Sequence, residues 1–426
     1  MAQNRRWSRL DNAAKIFPPT TSERFTNVFR FVCELTESVD GELLQRALER
    51  TVEKFPLYHS VLKKGLFWYY FEESDLIPRV AEECLPVCAS IYDADKSGLL
   101  FRVSYYKRRI NLEIFHALAD GTGALKFLRG MVLAYLAEKH GIAGEVADLE
   151  VARDSGNPDA FFMYYDKTKK IPASNKRRAY RIRGEKLPDN RLGVIEGFLS
   201  VKSALEKAHE HDATLSEFLI ALLLCSIRDG MAVRERSRPA VITVPVDLRR
   251  FFPIHTTRNF FGVIRVAHDF RKDGREYDEV LANVRQSFAR QLTEENLHGI
   301  IGRYSAIENN PFVKAIPLSV KIPILRMAGR WADGEDTAAF SNVGKVSMPP
   351  EAAKRIKLFN VFPGTSRPQV CLCAFEDTLA ISVSSPLRDT GLQRRFFRGL
   401  TGMGIPVRVI SNLERIEGGD ANHVAL

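Results

Sequence analysis

Apolar and polar residues alternate over residues 100–106 and 110–115, and less cleanly over 27–35. A period of two predicts half-buried strands in all three segments. Lys107-Arg108-Arg109 lies between the first two and reads as a hairpin connection, so the second strand runs straight into His116. Residues 66–71 form an unbroken, aromatic-rich run whose reading as a strand rests on composition. The period becomes helical over Gly41–Lys54, where Leu43, Leu44, Ala47, Leu48 and Val52 share a face. Leu125, Leu128, Val132, Tyr135 and Leu136 repeat it in a second helix, with Gly141 placed to end it.

Further along, residues 193–201 predict a strand followed by a helix through Glu210. Thr214-Leu215-Ser216-Glu217 has the Thr-x-x-Glu form of a capping box opening an apolar helix to about Ile227. Strands are expected at 240–246, 262–266, 339–346, 358–362, 369–375 and 379–384, and a helix at 390–400. A long helical region over 277–328 is interrupted near Pro311, Pro317 and Pro323, because proline lacks the N–H that a helix interior uses. Helices and strands mix in both halves, which predicts an α+β fold. At 426 residues the chain exceeds what one hydrophobic core usually spans. The expected division is a domain over 1–165, a linker over 166–190 and a domain over 191–426. That linker holds Lys167, Lys169, Lys170, Lys176, Arg177, Arg178, Arg181 and Arg183 without a clear period, which suits a solvated connection, with phosphate binding as the alternative.

Composition narrows the function classes. Hydrophobic residues make up 45% and charged residues 27%, as in ordinary globular proteins. The longest apolar run, residues 218–225, is far short of the ~18 residues a membrane span needs. Arg5-Arg6 is followed by no apolar stretch, so no secretory signal is read and a cytoplasmic location is expected. Cys33, Cys84, Cys88, Cys225, Cys371 and Cys373 are sparse and mostly within apolar segments, which suits reduced thiols. The net charge of +10 points to an anionic partner, for which a phosphorylated cofactor and an acidic carrier protein both qualify. Nucleic acid ranks lower, because the positive charge is scattered and no recognised module is present.

Several motifs fail on their own chemistry. Asp93-Ala94-Asp95-Lys96-Ser97-Gly98 begins like a calcium loop, but Ser104 stands where a bidentate Glu is required. Cys84 with Cys88, and His209 with His211, lack further ligands at zinc spacing, so no metal site is expected. No phosphate-binding Walker loop is present, and Gly399, Gly402 and Gly404 follow a helix where a dinucleotide fingerprint needs a strand.

His116-Ala117-Leu118-Ala119-Asp120-Gly121 is the segment that carries chemistry. It lies between a strand and a helix, where a side chain is held firmly yet can reach a cavity. A neutral imidazole accepts a proton near pH 7, which suits a general base. Asp120 is placed to pair with a cation, and Gly121 to allow close backbone approach or a positive φ. This segment resembles the signature of the superfamily that includes chloramphenicol acetyltransferase, plant BAHD acyltransferases, peptide-synthetase condensation domains and alcohol acetyltransferases. The resemblance extends to Val244-Pro245-Val246-Asp247-Leu248-Arg249-Arg250 with Asn259-Phe260-Phe261-Gly262, to Ser341-Asn342-Val343-Gly344, and to Asp212-Ala213-Thr214-Leu215. Phe115 stands where many condensation domains have a second histidine, and the plant Asp-Phe-Gly-Trp-Gly segment is absent, so the chain is most similar to stand-alone alcohol acetyltransferase-like proteins.

The resemblance implies two chloramphenicol-acetyltransferase-like domains with a tunnel between them. It also implies acyl transfer from acyl-CoA, as co-substrate with no bound cofactor, to a small-molecule alcohol or amine. On that match His116 is the base, Asp120 and Gly121 complete its segment, Arg249 pairs with Asp120, and Ser341 and Asn342 line the substrate site. Two other function classes stay open: a carrier-protein-dependent condensation enzyme, and a non-catalytic binding protein on the same fold.

Overall fold

The computed structural model describes residues 6–142, 159–166 and 178–413, without the side chains of 307–309 and 330–333. The linker cations Lys167, Lys169, Lys170, Lys176 and Arg177 lie outside the described residues. Strand Val28–Leu35 pairs antiparallel with Arg109–Phe115, which pairs with Phe101–Tyr106, and Val80–Glu82 closes that edge in parallel. The other edge comes from far along the chain. Ile356–Pro363 pairs antiparallel with Val28–Leu35, so the 191–426 span contributes a strand to the first sheet and a cut at the linker does not separate the sheets.

A second, seven-stranded sheet runs in the order Phe261–His268, Ala240–Asp247, Ala338–Val346, Gln369–Phe375, Thr378–Ser385, Gly193–Ser200 and Arg408–Ser411. Ala338–Val346 is parallel to both of its neighbours, and the remaining pairs are antiparallel. A third sheet joins Trp7–Arg9, Tyr69–Glu73 and Ser60–Lys64. The architecture is therefore mixed α+β.

Local signals explain the elements that position the site. Gly41–Lys54 begins at Asp40, whose carboxylate accepts from the Glu42 and Leu43 amides, and buries Leu44, Ala47, Leu48 and Val52. Gly121–His140 is capped by Asp120 and ends at Gly141, whose φ of 65° is the left-handed stop that glycine supplies. Leu215–Arg228 carries the reciprocal Thr214–Glu217 capping box and is buried along most of its length.

Three expectations are corrected. The aromatic run forms a turn first, with the Gly65 amide donating to the Trp68 carbonyl at 3.0 Å, so the strand is Tyr69–Glu73 and Leu66 and Phe67 are exposed. Pro323 does not interrupt its helix, which runs over Leu318–Asp333. The helix is anchored to Phe17–Thr20, where the Arg326 Nε donates to the Pro19 carbonyl at 2.9 Å. An interruption without proline separates Tyr277–Gln291 from Glu294–Asn309, where Thr293 caps the second helix through the Asn296 amide. Cys33, Cys88, Cys225, Cys371 and Cys373 are buried free thiols, and Cys84 is free and exposed.

Candidate active site

Strand Arg109–Phe115 ends against the first sheet's core, and the His116 amide donates to the Asn27 carbonyl at 2.8 Å. This bond extends the Val28–Phe115 pairing by one step and fixes where the imidazole leaves the sheet. The ring is half-buried among aromatics. Phe17 stacks on it at 4.4 Å, Phe29 meets it edge-on at 5.0 Å, and Phe261 approaches to 5.6 Å from the second sheet. Burial pushes the imidazolium below the ordinary 6.5, against opposing effects of a bond to its own backbone, the Asp120 carboxylate and the Asn259 amide. The neutral form is therefore the one present near pH 7.

Asn259 sets which nitrogen carries the proton. Its Oδ1 lies 3.1 Å from His116 Nδ1. Its Nδ2 and its backbone N–H both point at Asp11 Oδ2, at 3.2 and 3.3 Å, while Asp11 Oδ1 accepts from the Ala14 amide at 2.7 Å. In its ionised form Asp11 only accepts, and the Asn259 NH2 then faces it. The Asn259 oxygen is left for His116, whose Nδ1 then donates, and Nε2 keeps its lone pair. Asp11 is buried, and burial together with the Asp159 carboxylate raises it to about 7, while its bonds to Ala14 and Asn259 act the other way.

Asp120 turns away from this ring. Oδ1 caps the helix through the Gly123 amide at 3.0 Å, and Oδ2 accepts from Arg249 Nη1 at 2.8 Å and the Phe260 amide at 2.9 Å. Arg249 donates further to Asp247 at 3.0 Å and to the carbonyls of Thr256, Arg258 and Phe260. One guanidinium therefore ties the start of helix Gly121–His140 to the connection 248–260, the stretch that carries Asn259. Thr122 Oγ1 adds a bond to Asp247 Oδ2 at 3.1 Å.

Glycine acts two residues from where it was expected. A Cβ at Gly121 would meet nothing within 4 Å, and its φ is outside the left-handed region, so neither close approach nor a positive φ accounts for it. A Cβ at Gly123 would lie 2.0 Å from the Thr257 carbonyl oxygen. Gly123 lets the helix touch the Asn259 connection, and Gly121 leaves open space beside the His116 segment.

No family model and no curated protein matches the chain. Solved structures do. F. graminearum TRI101, solved with Coenzyme A and T-2 mycotoxin, superposes with a TM-score of 0.64 at 13% identity, covering 94% of this chain and 99% of that one. The first condensation domain of the CDA synthetase gives 0.59 at 14% identity over 95% and 97% of the two chains. Polyketide synthase associated protein 5 from Mycobacterium tuberculosis gives 0.58 at 15%, over 92% and 96%. The chain has the chloramphenicol-acetyltransferase-like fold.

Within this chloramphenicol-acetyltransferase-like fold the structure brings His116, Asp120 and Arg249 into one neighbourhood. It places Ser341 and Asn342 on strand Ala338–Val346, where the register shifts after Asn342. The Asn342 amide donates to Ser216 Oγ at 3.0 Å and accepts from the Gly344 amide at 2.8 Å, bonds that stay within the second sheet and helix Leu215–Arg228. Asn259 stood in the matched turn without an assigned role, and Asp11 carried no signal, being 248 positions away from the residue it orients. Among the described residues no group of three His, Cys, Asp or Glu side chains converges as a metal site. No helix among them is long and apolar enough to cross a membrane.

Proposed function

We propose that this chain is an acyl-CoA-dependent acyltransferase with His116 as its general base. The observation that carries the reading is the setting of His116, half-buried among aromatics with Nδ1 3.1 Å from Asn259 Oδ1, an arrangement that leaves Nε2 as the acceptor when Asp11 is ionised. Nε2 removes the proton of an alcohol or amine as its oxygen or nitrogen bonds to the thioester carbonyl carbon. The tetrahedral intermediate then collapses, the carbon–sulfur bond breaks, and Nε2 returns the proton to the departing thiolate. The His116 side chain itself is never acylated. The likeness to F. graminearum TRI101, solved with Coenzyme A and T-2 mycotoxin, supports this assignment of co-substrate.

Donor and acceptor meet, on this proposal, in a tunnel between the two halves. Asp120 and Arg249 hold the wall and take no proton, Gly121 leaves room beside the reacting atoms, and Ser341 and Asn342 contact substrate farther along. Proximity in a water-poor passage supplies much of the rate. The deciding experiment measures thioester consumption over a range of acyl-CoA lengths with candidate alcohols and amines. His116→Ala is expected to lower transfer by about 10²–10⁴-fold. Unchanged transfer by that variant would remove His116 as the base, and transfer from a phosphopantetheinylated carrier alone would replace CoA as the donor.

A further inference from the structure

Helix Leu318–Asp333 is apolar on two faces. Its inward face holds Leu318 and Lys321, each 4% exposed, with the Lys321 ammonium 3.9 Å over the Trp68 ring and donating to the Phe67 carbonyl at 3.0 Å. Its outward face holds Val320, Ile324 and Met327, each about half exposed, with Pro323 and Ala328 beside them. Positions 320, 324 and 327 follow the i, i+4, i+7 spacing of one helical stripe. Leu318, Ile322 and Leu325 form the stripe that covers the core, and this second stripe is left to solvent.

Other exposed apolar side chains lie on segments that lead into or bond to this helix. Phe312, on the preceding short helix, is 81% exposed. Leu66 is 71% exposed and accepts the Leu318 amide at 2.8 Å through its carbonyl, which places it at the helix start, and exposed Phe67 follows it. Single exposed apolar side chains are ordinary on any protein, but several on one helix face and the segments that lead into it mark an interaction surface.

Charge selects the partner. Between Glu308 and Asp333 the sequence holds Lys314, Lys321, Arg326 and Arg330 and no acidic residue. Lys321 is turned inward over Trp68, Lys314 and Arg326 are exposed, and the whole chain carries +10. A second copy of the chain would bring the same cations face to face. An anionic lipid surface instead offers phosphates to the cations and an acyl boundary to Val320, Ile324 and Met327.

We propose that the face formed by Phe312 and helix Leu318–Asp333, with Leu66 and Phe67, docks peripherally on an anionic lipid bilayer. The helix lies in the plane of the interface. Its inner side packs on Phe17–Thr20, and Phe17 stacks on His116, so the lipid-facing helix is joined to the ring by that one turn. Docking of this kind does not depend on acyl transfer.

The test reads binding alone. The full chain is sedimented with vesicles of phosphatidylglycerol and phosphatidylcholine, and separately with vesicles of phosphatidylcholine only. Wild type is expected to sediment with the anionic vesicles, and added salt to weaken the association. The triple variant Val320→Ser, Ile324→Ser, Met327→Ser is expected to lose affinity by roughly tenfold or more while its thermal melting stays unchanged, because the three side chains are exposed. Lys314→Glu with Arg326→Glu is expected to abolish the preference for the anionic vesicles. Wild type remaining in the supernatant with both vesicle types would overturn the proposal, as would equal sedimentation by the triple variant. Self-association that the triple variant abolishes, with no vesicle binding, would assign the face to a second copy instead.

Discussion

Asp120 and His116 are neighbours in sequence and opposites in how far the protein satisfies them. Asp120 is 4% exposed, and its two oxygens accept three hydrogen bonds from the Gly123 amide, the Phe260 amide and Arg249. His116 has one side-chain partner, aromatic rings around it, and an Nε2 left with its lone pair. A saturated carboxylate is a structural element, because nothing remains for it to give a substrate. A half-satisfied imidazole keeps the capacity to act.

The contrast breaks most visibly at the saturated end. Asp120→Ala leaves the Arg249 guanidinium buried without its nearest carboxylate and is expected to cost about 3–5 kcal/mol in urea unfolding. A loss below about 1 kcal/mol would mean that Asp247 and the surrounding carbonyls hold Arg249 without help. Next is the pair of glycines. Gly123→Ala, driven against the Thr257 carbonyl, is expected to cost about 1–3 kcal/mol, whereas Gly121→Ala changes stability by less than about 0.5 kcal/mol. If calorimetry ranked these two the other way, the helix would not bear on the Asn259 connection at Gly123.

The smallest effect is in pH. Burial lowers the His116 imidazolium below 6.5, so its base form persists as pH falls through that value, and the acid limb of kcat/KM is expected below 6.5. The unfolded chain takes this proton first, so it binds more protons than the fold between 6.5 and the lower folded value. Stability contributed by the neutral ring is present above 6.5 and is lost as pH drops through that window. An acid limb at or above 6.5 would show that the ring is not desolvated as the structure places it.

What could be read from the chain was local. Gly41–Lys54 and the Thr214–Glu217 capping box were legible because period and cap lie within a few residues. Gln369–Phe375 was legible because a buried run bounded by polar residues has few other readings. The His116 segment stood out through its position between a strand and a helix. Asp11 was hidden, since a buried carboxylate in an ordinary N-terminal stretch gives no sign of the amide it will orient. Helix Leu318–Asp333 misled at Pro323, which read as a break, and its period did not reveal which face would be covered. The covered face is set by packing on Phe17–Thr20 and on residues 66–68, which no local pattern connects to it.

Strand Ile356–Pro363 has a consequence for the order of synthesis. Until the ribosome has released residue 363, Val28–Leu35 has Arg109–Phe115 on one side and unpaired N–H and C=O groups on the other. An N-terminal fragment would therefore present a sticky ribbon able to recruit like chains into aggregates. Maturation of the first half must wait for the second, which makes the long-range closure of this sheet a slow event in folding.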